Sequence, residues 1–315
     1  MLSFLFVALA IGMLLAAFVA LDAPRAPKTM PSVANAFADV DFSDLPAPRT
    51  YTARDGSRLL YRSYPGDPRR IVIAIHGSSG TTTSMHAVAR AIHRRGATVH
   101  VLAMRGHEGT GRSGDIDYIG QLEDDVIDFI RALGDGLSGQ RRTLLGFSSG
   151  GGFALRFAGK EEGNYFDRLI LVAPQFPHYA PTSRPAAGGW VSVATRRIIV
   201  LSLLSRIGLK VLGSLPVLAM AVDPVRAAET KQTPVYSFRM QQNFCAADSY
   251  LQDVKRFRGE IRLFVGGADE IFRADQYAPL LHPVRPDLLV TVIPRVSHMA
   301  MTAAPTAVEA IAAAA

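Results

Sequence analysis

The chain has 315 residues, 49% of them hydrophobic, enough for one large α/β domain with a sizeable core. Its formal net charge is +7, but the basic residues are scattered over helices and loops, and no known module accompanies them, which argues against a nucleic-acid reader. Cys245 is the only cysteine, so an intramolecular disulfide is excluded, and no His/Cys/Asp cluster has metal-ligand spacing.

In chain order, the first feature is an almost unbroken apolar run from Leu2 to Leu21. About 20 such residues span a bilayer core as a helix. No Lys or Arg precedes the run, and small residues do not pair into a cleavage site. It therefore reads as a retained single-pass anchor over residues 1–21, with a cleaved signal peptide as the alternative. Asp22 to Pro48, rich in Pro and Ala, reads as an extended tether over 22–48. Arg25 and Lys28 follow the run, which by the positive-inside rule places the domain that follows in the cytoplasm of a membrane-bound protein.

From residue 49 to 315, strand patterns alternate with helical ones, which predicts a mostly parallel, doubly wound α/β sheet. Strands are expected at Thr50–Thr52 and Leu59–Tyr64, joined by the turn Asp55-Gly56. Ile71 to Ile75 is a buried strand that leads into His76-Gly77-Ser78-Ser79-Gly80. Helices are expected at Thr82–Arg95 and Tyr118–Leu133, with the strand Thr98–Ala103 between them. His86, His93 and His100 lie in or beside this unit and read as solvated.

Thr143 to Phe147 enters Ser148 as a strand, and a helical run from Phe153 to Ala158 leaves it. Gly146 and Gly150 flank Ser148 at two residues on either side, the spacing of a nucleophile elbow. Strand and helix pass close together at such a turn, and only small residues at those two positions allow it. The helix N-terminus also points free N–H groups toward the serine oxygen. A turn that only packs tightly is the bland alternative.

An acyl-transfer serine needs a base, an acid to orient it and an oxyanion hole, and on elbow folds the order is serine, acid, histidine. Ile261–Val265 reads as a strand running into Asp269-Glu270, and Leu288–Ile293 as one ending before His298. Asp269 and His298 thus fall past the carboxyl ends of strands, on the rim that bears Ser148. Glu270 competes with Asp269 for the acid. His76 and His107 precede the serine and read as loop histidines, and His178 and His282 follow no strong strand. The oxyanion donors are expected to be the amides of Ser78 and Ser149. Cys245 lacks an elbow and reads as a partly buried structural residue.

On these motifs the chain is similar to the α/β-hydrolase superfamily from about Arg49 to its C-terminus. Met104 to Gly114 resembles the R-G-H-G-x-S loop of lysophospholipase and monoacylglycerol-lipase-like hydrolases. Ala103 stands where that group has Asp, and Glu108 interrupts the R-G-H-G run. The resemblance implies an inserted helical cap, at about 175–240. The apolar stretch from Trp190 to Val222 lies there, with Ser192, Thr195, Arg196, Ser202, Arg206, Lys210 and Ser214 on one narrow helical face. Such a helix would lie at a membrane interface or pack as a cap on the body. The expected activity is cleavage of lipid-like carboxylic esters without a cofactor or metal. The alternatives are a peptidase of the prolyl-aminopeptidase type and a catalytically silent binding protein.

Overall fold

The computed structural model describes residues 13, 17–134 and 139–315. Its main sheet has eight strands: β1 (Arg49–Thr52), β2 (Arg58–Tyr64), β3 (Asp67–Ile75), β4 (Ala97–Leu102), β5 (Arg141–Phe147), β6 (Arg168–Val172), β10 (Glu260–Gly266) and β11 (Leu289–Ile293). Their spatial order is β1-β2-β4-β3-β5-β6-β10-β11. β1 and β2 form an antiparallel pair, and β2 meets β4 antiparallel. Every pairing from β4 onward is parallel. The uninterrupted apolar runs follow from this position: β6 and the last five residues of β3 and β5 are wholly buried.

Helix α1 (His86–Arg94) packs on β4 and against the C-terminal helix α9 (Pro305–Ala314). α2 (Gln121–Ala132) packs on β1. α3 (Ser149–Ala158) covers β5 and β6 and touches α7 (Tyr250–Arg256). α8 (Tyr277–Leu281) precedes β11. Phe153, Leu155 and Phe157 of α3 are fully buried, and truncating a phenylalanine of this kind to alanine costs about 3–5 kcal/mol.

Between β6 and β10 lies the insertion. Besides helices α4 (Thr195–Arg206), α5 (Pro224–Thr230) and α6 (Phe238–Asn243), it holds a second, antiparallel sheet in the order β7-β8-β9 (Val191–Val193, Pro216–Met220, Val235–Ser237). The stretch from Trp190 to Val222 is thus not one helix. Gly208, at φ 86°, follows the helical residues, and Pro216 opens a strand. α4 turns Val200 and Leu201 inward, Leu201 packing with Val217 and Phe238, and leaves Ile199, Leu203 and Ile207 exposed.

Among the described residues, no helix is long and apolar enough to cross a membrane. This overturns the expected single-pass anchor over residues 1–21 and the membrane localisation built on it. Residues 1–12 and 14–16 of that run lie outside the described residues. Residues 17–21, at the described end of that run, are helical. The chain then docks on the cap. Phe18 lies under the Arg196 guanidinium at 5.5 Å, and Asp22 Oδ2 accepts the Arg197 amide at 3.0 Å. That carboxylate caps α4, whose own N-cap residue, Ala194, cannot. The stretch read as a tether is also seated on the body: Val33 is buried in the core, and Asp41 and Asp44 bind Arg90.

Candidate active site

Ser148 stands between β5 and α3 with φ 54° and ψ −118°. A non-glycine residue held there costs about 1–3 kcal/mol of strain, which the surroundings must over-determine. They do so with three backbone bonds: Ser148 N–H donates to Val172 O at 2.9 Å, and Ser148 O accepts from Gly152 at 3.0 Å and Gln175 at 2.9 Å. The flanking glycines are steric necessities. A Cβ on Gly146 would stand 2.3 Å from Gly150 O, and one on Gly150 would stand 2.2 Å from His76 O.

The ends of β5, β10 and β11 bring Ser148, Asp269 and His298 together. Ser148 Oγ lies 3.0 Å from His298 Nε2, and His298 Nδ1 lies 2.8 Å from Asp269 Oδ2. A carboxylate only accepts, so Nδ1 carries the imidazole proton and Nε2 is free to take the serine proton. Asp269 Oδ1 accepts the amides of Ile271 at 2.9 Å and Phe272 at 2.8 Å. Glu270, the competing acid, binds the same histidine elsewhere: its Oε2 accepts the His298 backbone N–H at 2.9 Å. Phe147 and Phe272 flank the imidazole at centroid distances of 4.9 and 5.2 Å, and all three polar residues are buried.

Ser78 and Ser149 line the same pocket as Ser148. Neither amide has a protein acceptor among the described residues. Ser149 opens α3, where the first N–H groups are free by construction. Both hydroxyls are engaged: Ser149 Oγ donates to Gln175 Oε1 at 2.7 Å, and Ser78 Oγ accepts from Trp190 Nε1 at 3.1 Å. The pocket walls are largely apolar, with Val191, Leu218 and Met220 from the cap facing Phe244, Ile271 and Phe272. Among the described residues, no Asp or Glu lines it. Leu203 and Ile207, exposed on and just past α4, do not line it either. Cys245 does, and burial pushes its thiol up to about 11, so the thiol stays protonated.

The loop histidines are structural. His76 Nδ1–H donates to Gly77 O at 2.8 Å, and its Nε2 accepts the Met104 amide at 3.2 Å. Burial holds it below the usual histidine range. In the loop that follows β4, Arg105 pairs with Asp125 at 2.7 Å and Asp55 at 2.9 Å. Glu108, which breaks the R-G-H-G run, accepts the Thr82 amide at 2.6 Å and its hydroxyl at 2.9 Å. That carboxylate ties the loop to the turn before α1. His86 and His100, expected in solvent, are buried, and His86 binds Tyr64 and Asp44. Trp190, Gln175 and Tyr236 were not foreseen, because each meets the site through a contact that no local motif encodes.

A family model described as Hydrolase_4: Serine aminopeptidase, S33 matches residues 66–303. Among curated proteins none matches the sequence. The fold is similar to that of a soluble variant of monoglyceride lipase from Saccharomyces cerevisiae, with a TM-score of 0.65, 17% identity, and coverage of 86% of this chain and 94% of that one. It is also similar to a monoacylglycerol lipase from Paleococcus ferrophilus (TM-score 0.61, 15% identity, 82% and 99% covered). A bromoperoxidase from Bacillus anthracis (TM-score 0.59, 18% identity, 84% and 98% covered) is comparably similar. At these identities the likeness is one of fold.

Proposed function

Because the chain belongs to the family described as Hydrolase_4: Serine aminopeptidase, S33, we propose that it is a serine hydrolase that cleaves carboxylic esters with lipid-like acyl groups, such as those of a monoacylglycerol or a lysophospholipid. One observation carries this reading: Ser148, joined to His298 and through it to Asp269 at 3.0 and 2.8 Å, lines a largely apolar pocket. Ser148 Oγ attacks the acyl carbonyl while His298 Nε2 takes its proton, and Asp269 stabilises the imidazolium. The amides of Ser78 and Ser149 receive the oxyanion. His298 then returns the proton to the leaving alcohol. Water repeats the sequence on the acyl-enzyme and releases the acid.

The family description raises an aminopeptidase as the second reading. A free substrate amino terminus is cationic and calls for a carboxylate in the pocket, where none of the described residues supplies one to the wall. The apolar lining suits an acyl chain instead. Wild-type protein is expected to take a fluorophosphonate on Ser148. Ser148→Ala is expected to lose that label and at least about 10³-fold in turnover. Assays on p-nitrophenyl esters of increasing chain length, beside an aminoacyl-anilide, separate the two readings. Turnover of the anilide alone would establish the peptidase. Full turnover by Ser148→Ala would sink the Ser148 mechanism, and no turnover of either substrate by the wild-type protein would leave the catalytically silent reading.

A further inference from the structure

Two side chains of the cap reach down to the loop that follows β3. Trp190, just before β7, donates its indole N–H to Ser78 Oγ at 3.1 Å. Tyr236, in the middle of β9, places its phenol oxygen 2.8 Å from the Ser79 amide nitrogen and 2.5 Å from His107 Nε2. Both residues are buried and line the pocket above Ser148.

Chemistry fixes the direction of these bonds. His107 Nδ1 faces carbonyl oxygens, those of Met104 and Arg105, at 3.2 and 3.3 Å. Carbonyls only accept, so Nδ1 carries the proton, and the buried, neutral ring leaves Nε2 bare. A bare nitrogen only accepts, so Tyr236 donates its single proton to it. The lone pairs of the phenol oxygen then serve the Ser79 N–H. Protons point from the Ser79 amide to Tyr236 to His107, so that the amide, the phenol and the bare ring nitrogen satisfy one another.

This chain holds the Ser78–Ser79 peptide. Ser79 has φ 58°, a left-handed conformation that a residue with a side chain avoids unless held. Gly80 N–H closes the turn onto Gly77 O at 3.0 Å. Rotating Ser79 to a relaxed negative φ would swing its amide away from Tyr236 and disturb the whole turn, with Ser78 inside it.

We propose that the cap is part of the oxyanion-binding machinery: Tyr236, braced by His107, is a positioning residue that locks the Gly77–Gly80 turn with the Ser78 amide facing Ser148, and Trp190 locks the Ser78 side chain. The proposal rests on the serine-hydrolase reading above. Its consequence is that a displaced cap leaves Ser148 and His298 in place but dismantles half of the oxyanion hole. Turnover is thereby confined to the state in which the cap is seated over the acyl chain.

The test is Tyr236→Phe, which keeps the ring and removes the hydroxyl. With a short p-nitrophenyl ester, kcat is expected to fall about 30- to 100-fold and KM to change less than about threefold. A trifluoromethyl ketone forms an oxyanion on the serine, so its inhibition constant is expected to rise by the factor by which kcat/KM falls. Adding Ser79→Gly to Tyr236→Phe is expected to recover about tenfold in kcat, because glycine holds a positive φ without strain. Trp190→Phe supplies a second arm that leaves the phenol chain intact, with an expected kcat loss of about three- to tenfold. Wild-type kcat in a folded Tyr236→Phe overturns the proposal. So does a loss that leaves ketone affinity unchanged and is not rescued by Ser79→Gly. If Tyr236→Phe does not fold, wild-type kcat in Trp190→Phe overturns it. Wild-type protein that hydrolyses no ester and takes no fluorophosphonate on Ser148 overturns the serine-hydrolase reading itself, and the proposal with it.

Discussion

Two carboxylates sit side by side at the end of β10, and their partners give them different work. Asp269 holds two backbone amides on Oδ1 and His298 Nδ1 on Oδ2. In Asp269→Asn, the amides of Ile271 and Phe272 select the carboxamide oxygen, so the NH₂ group turns to His298. Two donors cannot face each other, so the imidazole must shift its proton to Nε2, where it can no longer accept from Ser148. Turnover is expected to fall about 10³- to 10⁴-fold while the protein stays folded. Among the described residues the Glu270 side chain meets only the His298 backbone N–H, and a glutamine oxygen still accepts that bond. Glu270→Gln is expected to stay within about tenfold of wild type. Steady-state kinetics on one short ester checks both. Severe loss in Glu270→Gln with a mild effect in Asp269→Asn would reverse the assignment.

At the scale of elements, the crossing of β5 and α3 sets the geometry of Ser148. Gly150→Ala brings a helix-propensity gain of about 1 kcal/mol, but its Cβ would stand 2.2 Å from the His76 carbonyl, a backbone atom that cannot rotate away. Overpacking of that kind costs about 1–3 kcal/mol or more. The expected result is a lowered urea midpoint together with lost turnover, because relief of the clash moves Ser148 relative to His298. The elbow, the parallel strands and the Asp269 and His298 loops were legible because their signals are local: glycine spacing, contiguous apolar runs, and polar residues just past strand ends. The cap was less legible. Its residues from Trp190 to Val222 are apolar whether they form one helix or a helix between two strands, and burial of the wall rather than period selects them. β7 and β8, not α4, supply Val191, Leu218 and Met220 to the pocket. Leu218→Trp is therefore expected to depress turnover of long-chain esters at least about tenfold relative to the acetate ester. Leu203→Glu, on the exposed face of α4, is expected to change the ratio of the two rates little and stability by less than about 0.5 kcal/mol. Equal effects of these two variants on chain-length preference would remove the cap sheet from substrate recognition.

Over the whole molecule, buried neutral histidines couple the fold to pH. Burial lowers His100 to about 4, with Arg49 adding to the effect. Burial also holds His76 below its ordinary range and His107 well below it, the latter helped by its neighbour His76. Each is easier to protonate in the unfolded chain, so each contributes stability that is fully present above the ordinary histidine value of 6.5 and is lost as pH falls below it. Buried carboxylates act lower. Burial raises Asp125 and Asp253 from 3.8, which opposes the loss near that value. For Glu123, burial is outweighed by Arg156, Lys160 and Asn243, which lower it and add to the loss. Between pH 7 and 5 the histidines therefore dominate, and the thermal midpoint is expected to fall across that interval. His100 is the cleanest site to test, because its ring packs edge-on against Tyr61 and Phe129 and its Nδ1 has no partner. His100→Phe preserves those ring contacts and removes the titrating group. Its unfolding free energy is expected to stay near wild type at pH 7. Below pH 6.5 it is expected to lose roughly 1 kcal/mol per pH unit less than wild type, a difference of roughly 3 kcal/mol by pH 4. Chemical denaturation at each pH reads this directly. Parallel curves for the two proteins would mean that His100 is protonated in the native state at mild acidity, and that the acid lability arises elsewhere in the fold.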